Sequence, residues 1–242
     1  MYKQLKLFIS KFKEFLSQKF KKYDGKIPYI ITVVVTLLVV VLGIKFFLKL
    51  TRNLHTDLLS DFDAVVSEYV TSFRTDALTT YFKFVTDVGD ALGYLIVFSV
   101  CSFLFYLFFK NWKYVLQLSS ILVLALSSNL ILKEIINRER PTLEHLVTVK
   151  TLSYPSGHAM TAMAFYGFLI YLILTFKISK LLKFALVTVL LLLILSIGVS
   201  RIYLGVHFPS DIVGGFVAGF IWVVFCILIL NIFKVFKEDP NT

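Results

Sequence analysis

Two histidines, one aspartate and a group of cations are the residues of this chain whose types and spacing could do chemistry together. Lys133, Arg138, Arg140, Ser156, His158, Arg201, His207 and Asp211 fall in two short stretches, 133–158 and 201–211. Cations gathered in one neighbourhood repel one another unless an anion sits among them. A guanidinium fork matches phosphate oxygens and an ammonium adds a point charge, so the expected ligand is a multiply charged oxyanion. Asp211 follows His207 by four residues, and Pro209 between them suits the first turn of a helix. On that turn the two side chains share a face. The carboxylate can then accept a proton from one imidazole nitrogen and leave the other free to attack. The segment Tyr154-Pro155-Ser156-Gly157-His158 puts a turn immediately before an apolar run. The free N–H groups and the dipole of a helix starting there favour an anion. Gly157 lets an oxyanion approach the backbone. Ser156 either donates its hydroxyl to the same oxygens or caps the helix.

The elements that must position these residues are long apolar runs. Of 242 residues, 58% are hydrophobic and 17% charged, a balance outside that of soluble globular domains. Six runs lack any charge: 27–44, 91–109, 114–132, 159–176, 184–200 and 212–233. Each approaches the roughly 20 residues that cross a bilayer as helix. The expected fold is all-α, an integral membrane bundle of six transmembrane helices, with no internal repeat or linker. Alternating crossings bring Lys133, His158, Arg201 and Asp211, all at span ends, to one side of the membrane. Ionisable residues at that depth are costly and mark function.

The loop charges suggest an orientation. With a cytoplasmic N-terminus, the inner segments hold 15 Lys and Arg against 10 outside, and the acids divide 4 to 11. A basic excess on the cytoplasmic side is the usual bias. Residues 1–26 carry eight lysines, with Leu5, Phe8, Ile9, Phe12, Phe15, Leu16 and Phe20 at helical spacing. They are expected to form an uncleaved amphipathic helix at the inner interface. Residues 27–233 then make the membrane domain and 234–242 a short cytoplasmic tail. The net charge of +10 fits a membrane surface, and no nucleic-acid partner is expected. Cys101 and Cys226 lie in apolar runs without metal-ligand spacing, which argues against a disulfide scaffold or zinc site.

Three motifs together carry a resemblance. Lys133-x6-Arg140-Pro141, Pro155-Ser156-Gly157-His158 and Ser200-Arg201-x5-His207-x3-Asp211 resemble the three-part signature of the type 2 phosphatidic acid phosphatase superfamily. Every fixed position is present and in order. The resemblance covers roughly residues 61–233 and is weakest before residue 91, where Leu78–Asp90 matches only loosely. It implies that His207 is a nucleophile forming a phosphohistidine, with Asp211 orienting it. His158 would protonate the leaving oxygen and then activate water. Lys133, Arg140, Ser156, Gly157 and Arg201 would bind phosphate, and neither metal nor cofactor would be needed.

The implied activity is hydrolysis of a lipid phosphomonoester or pyrophosphate at the outer face of a plasma membrane. Undecaprenyl pyrophosphate and phosphatidylglycerophosphate are the substrates that would suit it. Two alternatives remain at this point: a lipid phosphotransferase of the same superfamily, and a catalytically inactive lipid transporter. Plainer roles are expected for the other polar residues. Arg138 and Glu139 read as a solvated loop pair, and His145 as a surface histidine. His55, Asp57, Asp61, Asp63 and Glu68 read as the solvated face of an outer amphipathic segment, and Gly215 and Gly219 as helix-packing positions.

Overall fold

The computed structural model describes residues 27–149 and 151–237; the amphipathic helix expected over 1–26 and the end of the tail lie outside them. The described residues form eight helices and no strand: α1 (Ile27–Arg52), α2 (Asp57–Ser72), α3 (Asp76–Val88), α4 (Ala91–Phe109), α5 (Lys113–Ile136), α6 (Gly157–Thr175), α7 (Lys180–Tyr203) and α8 (Pro209–Lys237). Six of them, all but α2 and α3, are long and apolar enough to cross a membrane. Helix is the expected conformation for such runs, because in hydrocarbon the backbone must satisfy its own polar groups. Residues 41–224 form one compact unit, which contains everything described below; the ends of α1 and α8 belong to a second.

Within residues 41–224, α6 is the helix the others cover. Of its most apolar stretch 61% is buried, against 11% for α4 and 17% for α7. Small residues on α6 and α8 allow their close approach. A Cβ on Gly215 would stand 2.7 Å from the Ser156 carbonyl oxygen, and one on Gly219 would stand 2.4 Å from that of Met160. These two glycines therefore bring α8 against α6, as small residues do between helices in membranes. The outer faces are apolar and unpaired: Phe108 is 78% exposed and Leu181 79%. Helices clothed this way need lipid, not water, on that side.

The segments between helices set the directions of the polar side chains. Asn137 ends α5 in the left-handed conformation (φ 50°), its N–H bonded to Lys133 O at 2.9 Å. Asn is among the few residues that enter this region readily. The chain beyond it is not helical, and Arg138 and Arg140, two positions apart, have different surroundings. Gly205 (φ 77°) closes α7 and lets Val206 N and His207 N both reach back to Arg201 O. The region before residue 91 is better organised than a solvated amphipathic segment. There α2 and α3 both pack on α7. The Tyr203 hydroxyl accepts from Thr75 N at 2.9 Å, and Arg74 Nε donates to Tyr203 O at 3.0 Å.

Candidate active site

Asp211 lies on the first turn of α8 and has no solvent exposure. Its Oδ2 accepts from His207 Nδ1 at 3.2 Å, from Phe208 N at 2.9 Å and from the Ser153 hydroxyl. Its Oδ1 accepts from Arg138 at 2.6 Å. An ionised carboxylate only accepts, so Nδ1 of His207 carries the proton and Nε2 the lone pair. Arg140 stands 3.2 Å from that Nε2. Burial pushes the His207 imidazole from 6.5 down to about 3, helped by the charges of Arg140 and Arg201 and opposed by Asp211. His207 is thus neutral at physiological pH, as an attacking nitrogen must be.

Three cations stand around this imidazole. Lys133 Nζ, at the end of α5, donates to Thr151 Oγ1 at 2.9 Å and Leu152 O at 2.5 Å. Arg140 is tied to Thr151 O and Val206 O, each at 2.6 Å. Its guanidinium is lowered by burial, with Asp211 acting against that shift. Arg201, at the end of α7, is buried and donates from one terminal nitrogen to Thr86 Oγ1 at 2.5 Å. Its Nε is buried and has no hydrogen-bond partner. A buried charged donor left unsatisfied is expensive, and an oxyanion among these side chains would satisfy it.

These groups share one cavity of about 530 Å³, lined by Lys133, Arg140, Gly157, His158, Arg201 and His207. Asn129 lines it too, four residues before Lys133 on α5, and donates to Pro155 O at 3.1 Å. Thr86, Asp87, Asp90, Thr148, Thr151 and Thr161 add polar groups to the lining, and one side is apolar: Tyr94, Leu95 and Phe98 from α4, and Leu122, Leu126 and Leu130 from α5. The cavity is therefore amphipathic, cationic where the motifs converge and greasy along two membrane-spanning helices. Among the described residues no group of His, Cys, Asp and Glu side chains could hold a metal ion.

His158 stands on the first turn of α6, with Nε2 3.0 Å from Asp90 Oδ1 and out of line for a hydrogen bond. The contact becomes an ion pair when the imidazole is protonated. The imidazole beside it and the charge of Arg201 hold the Asp90 carboxyl below its ordinary range, against the raising effect of burial. Ser156 takes the second of its two expected roles. It is fully buried, its Oγ accepts from Ala159 N at 3.5 Å as the cap of α6, and it does not line the cavity.

Two expectations fail. Arg138 is no solvated loop residue: it is 8% exposed and bridges Asp211 at 2.6 Å and Asp63 at 2.8 Å. Asp63 is no solvated acid: it is 1% exposed. Each is buried because the other neutralises it. Glu139, His145, His55, Asp57, Asp61 and Glu68 are exposed as expected. Sequence reasoning also passed over Asp90, Asn129, Thr151 and Ser153. Of these only Asn129 left a signal, as a polar residue inside an apolar run one turn before Lys133.

Residues 114–234 match the PAP2 superfamily. The chain is 32% identical over 178 residues to phosphatidylglycerophosphatase B of Bacillus subtilis (strain 168), across 72% of this chain and 86% of that one. It belongs to the PAP2 superfamily. The crystal structure of a transmembrane PAP2 type phosphatidylglycerolphosphate phosphatase from Bacillus subtilis superposes with a TM-score of 0.72 at 26% identity. That match covers 84% of this chain and 98% of the other. LpxE of Aquifex aeolicus shares the fold, with a TM-score of 0.55 at 22% identity over 68% of this chain and 93% of the other.

The unsatisfied Arg201 Nε and the cationic wall generate a binding test. Orthovanadate should bind the detergent-purified protein, and Arg201→Lys, which keeps the charge but loses Nε and the fork, should weaken it. A lost charged hydrogen bond of about 1.5–3 kcal/mol corresponds to roughly ten- to a hundredfold. Calorimetric titration measures both affinities. Equal binding by the two proteins would show that Arg201 does not contact the anion.

Proposed function

We propose that this PAP2 protein is a lipid phosphatase that removes a terminal phosphate from a membrane lipid through a covalent intermediate on His207. The observation that carries the reading is the neutral Nε2 of His207, placed beside Arg140 at the cationic end of a cavity whose other wall is apolar. Lys133, Arg140, Arg201 and the Gly157 backbone would hold the phosphate oxygens, and Ser156 would serve by fixing the helix start that presents Gly157. The apolar wall from α4 and α5 would take the first part of the lipid tail, letting the substrate arrive from within the bilayer.

In the first step Nε2 of His207 attacks phosphorus and a P–N bond forms. The P–O bond to the lipid breaks, and His158 gives a proton to the departing oxygen. Asp211 stabilises the imidazolium so formed. In the second step His158 takes a proton from water, whose oxygen attacks phosphorus. The P–N bond then breaks and inorganic phosphate leaves. Cationic side chains supply the transition-state charge stabilisation, so turnover is expected to need no metal. Phosphatidylglycerophosphate is the first substrate to consider, in line with the activity in the name of the Bacillus subtilis relative and of the crystal structure. A polyprenyl pyrophosphate such as undecaprenyl pyrophosphate offers the same terminal phosphate and is the second.

Rapid acid quench of radiolabelled lipid phosphate, followed by alkaline handling, separates the two histidines. His207→Ala should lose turnover by about 10³-fold or more and carry no label. His158→Ala should be nearly as slow on the natural alkoxide leaving group. On an activated leaving group that departs unprotonated, label should accumulate on His158→Ala, because water lacks its base. Label retained by His207→Ala would show that another residue is the nucleophile.

The reading also places the active site outside the plasma membrane and both termini in the cytoplasm, in keeping with the loop charges. In a background lacking Cys101 and Cys226, a cysteine at the exposed position Thr142 should react with an impermeant thiol reagent in intact cells. One at the exposed Lys177, across the membrane, should react only after permeabilisation. The reverse pattern would place the site on the cytosolic face.

A further inference from the structure

Asp63 stands on α2, outside the residues matched to the superfamily and with no counterpart in the three motifs. Its neighbours on the outward face, Asp61, Phe62 and Val65, are exposed, yet Asp63 is 1% exposed. Three donors converge on its carboxylate. Ser210 N reaches Oδ1 at 2.8 Å, the Ser210 hydroxyl reaches Oδ2 at 2.6 Å, and Arg138 reaches Oδ2 at 2.8 Å. The other arm of the Arg138 fork reaches the Ser210 hydroxyl at 2.8 Å and Asp211 Oδ1 at 2.6 Å. The guanidinium also lies over the Phe208 ring, 4.3 Å from its centroid. A chain of buried charges thus runs from α2 through Arg138 to Asp211 and on to His207.

The structure assigns Asp63 and Arg138 as positioning residues that set the charge available to His207 through Asp211. The inference rests on the proposed role of His207 as nucleophile. Two carboxylates sharing one guanidinium leave the group one negative charge in excess. That excess favours a positive His207 ring, which forms when Nε2 bonds to phosphorus with Nδ1 still protonated and the charge of Lys133, Arg140 and Arg201 is taken up by the phosphate. Asp63 thereby divides the attention of Arg138, which would otherwise neutralise Asp211 fully. It also fixes the peptide at Ser210, one residue from Asp211. Anchoring alone would need only the hydrogen bonds, whereas charge balance needs the negative charge as well.

The test compares Asp63→Asn, Asp63→Glu and Asp61→Asn in detergent, with His207→Ala run in parallel. Asp63→Asn keeps the shape of the carboxylate and should slow phosphoenzyme formation about tenfold or more, with KM within about twofold. The loss corresponds to about 1.4 kcal/mol of transition-state stabilisation. Asp63→Glu restores the negative charge at that end of Arg138 and should recover most of that loss. Exposed Asp61→Asn should match the wild type. An Asp63→Asn rate equal to that of Asp61→Asn would overturn the inference. So would an Asp63→Glu rate no faster than that of Asp63→Asn, since the negative charge would then not matter. If Asp63→Asn does not fold, Asp63→Glu decides: a phosphoenzyme-formation rate within about tenfold of wild type supports the inference, and an inactive folded protein overturns it. Turnover retained by His207→Ala would instead overturn the nucleophile assignment, and this inference with it. An inactive His207→Ala beside a fully active Asp63→Asn would overturn the inference alone.

Discussion

A carboxylate without solvent, Asp211, needs partners on both of its oxygens, and the packing around the site follows from meeting that need. Removing one partner from a buried ion pair costs about 3–5 kcal/mol. Oδ2 takes His207, Phe208 N and Ser153; Oδ1 takes Arg138. These four donors come from the 137–156 connection and from the turn that opens α8. Holding Asp211 therefore means closing both connections over the start of α8. Ser156 N bonded to Asp211 O at 3.1 Å and Ser153 N bonded to Arg138 O at 2.8 Å are the backbone half of that closure. Gly215 and Gly219 complete it by letting α8 sit tightly on α6.

The same constraint arranges the cavity. Once Asp211 has fixed Nδ1 of His207, Nε2 is left toward Arg140 and the open space. Lys133 and Arg201 reach that space from the ends of α5 and α7. Three cations can remain desolvated there because carbonyls and hydroxyls of Thr86, Thr151, Leu152 and Val206 take most of their donors. Arg201 donates only to Thr86 among these partners, and its buried Nε has none, so its guanidinium keeps donors for the phosphate of the proposed reaction. The apolar wall from α4 and α5 gives the site an amphipathic character suited to a ligand that is charged at one end and hydrocarbon at the other.

Much of this was legible in the residues. The six spans show as uninterrupted apolar runs, because hydrocarbon forbids charge over about 30 Å. The convergence of Lys133, His158, Arg201 and Asp211 follows from alternate crossing. The His207–Asp211 contact follows from a four-residue step into a helix after Pro209. What could not be read was which charges cancel one another. Arg138 and Arg140 look alike in a sequence, and the non-helical chain after Asn137 takes them to different partners. Asp63 looks like any acid on an amphipathic helix until the approach of α2 to the Ser210 turn is known. Ser156 illustrates the opposite case: its type allowed either a cap or an anion contact, and local helix geometry decided for the cap.

The central claim is that burial keeps His207 neutral while Asp211 holds its proton on Nδ1 and leaves the lone pair on Nε2. ¹⁵N NMR of histidine-labelled protein in detergent, with His207→Ala used to assign the signals, tests this most directly. From pH 8 down to about 5, the account predicts an unprotonated, pyridine-like Nε2 and a protonated Nδ1 that do not titrate, because burial holds the imidazole at about 3. A ring that titrated near its ordinary 6.5, or one that carried its proton on Nε2, would contradict the account.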